Sequence, residues 1–101
     1  MATIGTFVRQ GDVIEGHVKT LQFQEQVRFV PNPDVASVVR APDYIIYSGD
    51  IEIGGAWSVK KSGKTVYYNV RIDDVSLARP INATLYKSEE NPDHFDLVWS
   101  R

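Results

Sequence analysis

Between Ile51 and Asp73 the chain runs through two stretches of alternating apolar and polar residues joined by Lys61-Ser62-Gly63-Lys64. A period of two is the period of a β-strand, and two such runs closed by a Ser-Gly pair read as a hairpin with a two-residue turn. The first run puts Ile51, Ile53, Gly55, Trp57 and Val59 on one face, and the second puts Val66, Tyr68, Val70 and Ile72 there. Because loop length fixes register, the reading places Val59 opposite Val66, Trp57 opposite Tyr68, Gly55 opposite Val70 and Ile53 opposite Ile72. Trp57 and Tyr68 then belong to the core, and Gly55 marks a bend or a bulge.

The rest of the chain follows the same period. Ile14, Gly16, Val18 and Thr20 alternate with Glu15, His17 and Lys19; Ile81, Ala83 and Leu85 with Asn82, Thr84 and Tyr86; Phe95, Leu97 and Trp99 with His94, Asp96 and Val98. Val27 to Val30 and Tyr44 to Tyr47 are short β-rich segments between turn residues. Pro31-Asn32-Pro33-Asp34 opens a loop to Pro42, within which residues 35–39 fit a short helical turn or a strand. Asp73 to Pro80 and residues 88–93 are further connections. No window carries a helical period. The expectation is one all-β domain over residues 1–101, an antiparallel sandwich or small barrel of about seven to nine short strands, with Trp99 in the core.

Composition narrows the classes of function. The 101 residues include no cysteine, which removes disulfides, thiolate metal sites and thiol chemistry and fits a cytoplasmic protein. No apolar segment approaches the roughly 18 residues of a membrane span, and the N-terminus does not read as a signal peptide. The formal net charge is −2, so nucleic-acid binding needs a local basic patch.

Motifs spread along the whole chain carry a family resemblance. They are Met1-Ala2-Thr3-Ile4-Gly5-Thr6-Phe7, Gly16 with Lys19-Thr20-Leu21, Pro42-Asp43-Tyr44, Gly55-Ala56-Trp57, Ile72-Asp73-Asp74, Pro80-Ile81 with Ala83 and Leu85, and Leu97-Val98-Trp99-Ser100-Arg101. Together they resemble the bacterial family catalogued as domain of unknown function 736. The resemblance implies a short cytoplasmic protein encoded on plasmids and other mobile elements of proteobacteria, and it implies no activity. Two positions depart from the family pattern: Val75 stands where proline is usual, and Ile45 where arginine is frequent, which removes a positive charge.

Catalytic constellations are lacking. His17 and His94 have no partner at metal-ligand spacing, and a zinc site needs three or four ligands. Asp73 and Asp74 adjoin a strand end and point apart, which suits turn formation and capping better than paired acid–base work. No serine sits in a nucleophile elbow, and Gly54-Gly55 lies within a strand rather than in a phosphate loop. The reading is therefore a non-enzyme without metal or cofactor. The polar face of the hairpin offers more. Lys60, Lys61, Lys64, Tyr67, Asn69 and Arg71 combine cations with an aromatic ring, the pairing that holds phosphates and stacks bases. The leading expectation is a mobile-element accessory protein that binds DNA, single- or double-stranded, through this hairpin. The alternative is a protein-interaction module acting on a plasmid-transfer or host-defence protein, with the lysines serving only solubility and edge protection. A symmetric homodimer through Tyr86 with Tyr44 or Tyr47 is also expected, since a small β domain has edges to hide.

Overall fold

The computed structural model describes residues 2–21, 23–34 and 39–99. Among these residues eight strands follow one another: β1 (Ala2–Gln10), β2 (Val13–Lys19), β3 (Gln24–Pro31), β4 (Tyr44–Ser48), β5 (Ile51–Lys61), β6 (Lys64–Ile72), β7 (Ile81–Lys87) and β8 (His94–Trp99). Each pairs antiparallel with the next, and β1 pairs with β8, so the sheet closes into an up-and-down barrel. The architecture expected from the alternation is thus the barrel and not the sandwich, and no helix occurs among the described residues. β1 is a strand that the alternation did not bring out. The undecided segment 35–39 lies, apart from Val39, outside the described residues.

An eight-stranded barrel has an interior just wide enough to be filled by side chains. Phe7, Ile14, Val18, Val27, Phe29, Ile46, Ile53, Ala56, Val70, Ile72, Leu85, Phe95 and Leu97 fill it. Phe7 meets Phe29 edge to face at 5.1 Å between centroids. Arg9 shares the inward parity of Phe7, and its guanidinium lies over the Phe95 ring at 5.4 Å. At the same end Tyr44 and Tyr68 pack edge to face at 5.4 Å against the core.

The β5–β6 hairpin departs from the expected register, and two bulges explain how. The turn itself is the two-residue Ser62-Gly63 loop, with Lys61 opposite Lys64. Both turn residues have positive φ, 55° at Ser62 and 79° at Gly63, the combination that matches the right-handed twist of hairpin strands. Immediately inside it, Lys60 pairs with Thr65 but Val59 pairs with Tyr67. Val66 is the extra residue, and it stands 48% exposed instead of facing Val59 in the core. Trp57 consequently pairs with Asn69 rather than Tyr68, Gly55 with Arg71 rather than Val70, and Ile72 with Gly54 rather than Ile53.

A second irregularity lies between β4 and β5, where Ile46 pairs with Gly54 and Tyr47 with Glu52. Ile53 is left over, and its carbonyl accepts the Asp73 N–H at 2.6 Å. Ile53 and Ala56 are both buried although three residues apart, so the inward parity of β5 flips between them. Gly54 and Gly55 carry no side chain to oppose the flip. The result moves Trp57 and Val59 to the outer face, which corrects the assignment of Trp57 to the core. Tyr68 keeps its inward place. Trp99 is only partly buried, at the end of β8.

Candidate functional site

The outer face of β5, β6 and β7 is built in rows set by the register. Gly55, Arg71 and Asn82 lie abreast; next come Trp57, Asn69 and Thr84; then Val59 and Tyr67, with Tyr86 beyond. Tyr67 and Tyr86 touch as tilted rings, 5.8 Å between centroids. Residues two apart on a strand are separated by roughly 6.8 Å, so the rows form a ladder of side chains of about that spacing.

Trp57 is held in place from both sides. Its indole N–H donates to the Arg40 carbonyl at 3.0 Å. Beneath it, a Cβ on Gly55 would stand 3.0 Å from Pro42 Cβ and 3.2 Å from Trp57 Cη2, so the glycine lets the ring and the proline close over the strand. The loop that delivers Pro42 and Arg40 is pinned by buried Asn32, whose side-chain amide donates to the Pro42 carbonyl at 2.9 Å and whose backbone N–H donates to the Asp43 carbonyl at 3.0 Å. Asp43 continues the attachment to β5: its N–H donates to the Ala56 carbonyl at 2.8 Å, and its carboxylate accepts the Ser58 N–H at 2.7 Å.

Two grooves meet at Trp57 and Arg71, which line both. One, of about 590 Å³, runs toward the Asn32–Pro42 loop and carries the carboxylates of Asp34, Glu52 and Asp73 beside Arg40 and Arg71. The other, of about 400 Å³, is lined by Trp57, Asn69, Val70, Arg71, Asn82 and Ala83 and contains no carboxylate. Arg71 makes a long ion pair with Asp73 at 3.5 Å, with both side chains about half exposed, so its guanidinium is lightly held.

Of the residues singled out in the sequence, Tyr67, Asn69 and Arg71 share this outer face. Lys60, Lys61 and Lys64 are exposed at the hairpin tip, beyond the last residues of β5 and β6 that pair with β4 and β7. Arg71 lies seven positions beyond Lys64 along β6, roughly 23 Å, so the cations bracket the ladder rather than forming one patch. Trp57, Asn82 and Tyr86 also belong to the face and were missed as site residues. The Gly54-Gly55 pair just before Trp57 was the available signal, since paired glycines in a strand permit a change of parity. Of the tyrosines expected at a dimer contact, Tyr86 is exposed, Tyr44 is packed against Tyr68, and Tyr47 lies under Arg28 at 5.6 Å.

Among the described residues two titrating groups are shifted. Burial, reinforced by neighbouring Tyr44, pushes the Tyr68 phenol up to about 12. Asp74 is lowered by the hydrogen bonds it accepts from the Ser76 hydroxyl at 2.5 Å and the Ser76 N–H at 3.0 Å, the capping geometry expected of that aspartate. Among the described residues no three His, Asp or Glu side chains converge on a metal-sized site.

A family model described as Protein of unknown function (DUF736) matches residues 3–101. No curated protein and no solved structure matches the chain.

Proposed function

The chain belongs to the DUF736 family, a description that assigns no activity, and from the geometry of its outer face we propose that it binds single-stranded nucleic acid without catalysis. The observation that carries this reading is the outward placement of Trp57 beside Asn69 and Arg71, in line with the Tyr67–Tyr86 pair. Large aromatics contribute most to stability when buried. Here a tryptophan and two tyrosines stand outside a barrel whose interior is already full, spaced as a ladder with cations at both ends. Sequence-tolerant strand binding uses that combination, because every base has a face to stack and every nucleotide a phosphate to neutralise. A duplex is less well served, since its bases are not free to stack on the rings. A mobile-element accessory role in the cytoplasm is the setting proposed for this binding.

The test is binding of labelled single-stranded and duplex oligonucleotides over a range of salt concentration. Single strands should bind more tightly, with affinity falling as salt rises. Replacing Lys60, Lys61, Lys64 and Arg71 together by glutamine should weaken binding and flatten the salt dependence, by up to roughly 0.7 in logarithmic slope for each phosphate no longer neutralised. Salt-insensitive or undetectable binding by the wild-type protein would overturn the proposal.

A second reading has its own support. The net charge of −2 and the carboxylates of the groove beside the Asn32–Pro42 loop suit a basic protein surface. In that case a folded tip variant would lose a protein partner and no oligonucleotide.

A further inference from the structure

Resting on the single-strand reading, we infer that the smaller groove is a base-selective slot that seats one unpaired adenine. Three observations converge on it. First, the choice of groove is electrostatic. A nucleotide brings its phosphate with it, and the larger groove would set that charge among Asp34, Glu52 and Asp73, whereas the smaller one offers Arg71 and no carboxylate.

Second, asparagine is disfavoured in strands, yet Asn69 stands inside β6 and Asn82 at the second position of β7, on the same face. Asn69 pairs with Thr84 and Asn82 with Arg71, so the two amides are diagonal neighbours across β6 and β7, about 7–8 Å apart at the backbone. Neither amide has a hydrogen-bond partner among the described residues. The fold therefore makes no use of them, while each presents a donor and an acceptor at the groove.

Third, the wall of the slot is Trp57, fixed by its bond to the Arg40 carbonyl and by Gly55 beneath it. A base stacked on that wall meets the two amides with its edge. Adenine sets an amino donor beside a ring-nitrogen acceptor on two edges, N6 with N1 and N6 with N7, so each of the two amides can take two bonds from it; cytosine does so on its Watson–Crick edge alone, the Hoogsteen edge of guanine holds two acceptors, and thymine carries a methyl group there. Arg71 is then left for the adjoining phosphate.

The experiment compares an oligo-dT strand with the same strand carrying one central deoxyadenosine, deoxycytidine or deoxyguanosine, by fluorescence anisotropy at fixed salt. A single substitution avoids the self-stacking of a homopolymer. The adenine strand should bind about tenfold more tightly than the others, the effect of one good bidentate contact. Asn69→Ala and Asn82→Ala should each erode the preference, and the double variant should bind all four strands alike while keeping its melting temperature. Equal affinity of the wild type for all four strands, with salt sensitivity intact, would overturn the slot and leave the single-strand reading standing. A preference that survives in the folded double variant would also overturn it. Absence of salt-sensitive binding to any strand would overturn both.

Discussion

The β1–β2–β3 wall and the β5–β6–β7 wall of this barrel are made of similar strands and end in different surfaces. The β1–β2 and β2–β3 pairs keep one register along their length. Their outer face carries Thr6, His17 and Gln26 abreast, then Val8, Glu15 and Arg28, a mixed solvated surface. Its arginine is occupied: Arg28 donates to the Gly49 carbonyl at 2.8 Å and covers Tyr47. On the other wall two bulges turn Trp57 and Val59 outward and line up Tyr67 and Tyr86, and Arg71 is held only by a long exposed pair. A bulge costs ladder pairing, and here it leaves a tryptophan outside a filled core. The difference teaches that the barrel's shape comes from the regular wall and its surface chemistry from the irregular one.

The comparison breaks most plainly on stability. Phe29→Ala empties a fully buried site on the regular side and should cost about 3–5 kcal/mol. Trp57→Ala removes a larger ring, but one that is partly buried and tied by a single hydrogen bond. It should cost only about 1–2 kcal/mol. Urea unfolding of the two variants decides the matter, and equal losses would return Trp57 to the core in energetic terms. Tyr67→Ala sharpens the point on the binding side. It should weaken single-strand affinity by about 1–3 kcal/mol by titration, while its pair with Tyr86 limits the stability loss to about 1.5 kcal/mol.

A smaller effect separates the inner tyrosines from the outer face by pH. Tyr68 is raised from 10.0 to about 12 because its phenolate is disfavoured by burial. A group whose folded pKa is raised contributes stability that is complete below the unfolded value and lost as pH climbs through the folded one. Urea midpoints of the wild type should therefore fall between about pH 10 and pH 12, and Tyr68→Phe should flatten that limb. An unchanged limb in the variant would remove Tyr68 as its cause.

Much of this was legible in the residue pattern, because the period of two reports the inward parity directly. The core positions Ile14, Val18, Leu85, Phe95 and Leu97 follow from it, as does the two-residue turn at Ser62-Gly63. Closure into a barrel was not legible, since pairing of β1 with β8 joins residues at opposite ends of the chain that no local pattern connects. The face of Trp57 was misread for a local reason. One extra residue at Ile53 reverses every parity after it on β5, and alternation alone cannot count a residue that belongs to no pair. Tyr67, Asn69 and Arg71 were found because β6 keeps its inward set from Tyr68 to Ile72; Asn82 and Tyr86 were missed because they lie on another strand of the same ladder.

The seam between β1 and β8 has a kinetic consequence. Every other pair in the barrel joins neighbours in the chain and can form as a hairpin, the longest connection among them being the stretch from Asn32 to Asp43 between β3 and β4. The seam alone asks for the longest loop, whose entropy must be met before its contacts repay it. Formation of the seam should therefore follow the hairpins, leaving its contacts weak in the folding transition state. Leu97→Ala, within β8 and opposite Gly5 across the seam, should accelerate unfolding while leaving the refolding limb of a chevron plot nearly in place. The pair that completes the barrel would then be the latch that sets how long it stays folded, and a refolding rate slowed as much as the stability falls would show that the latch forms early.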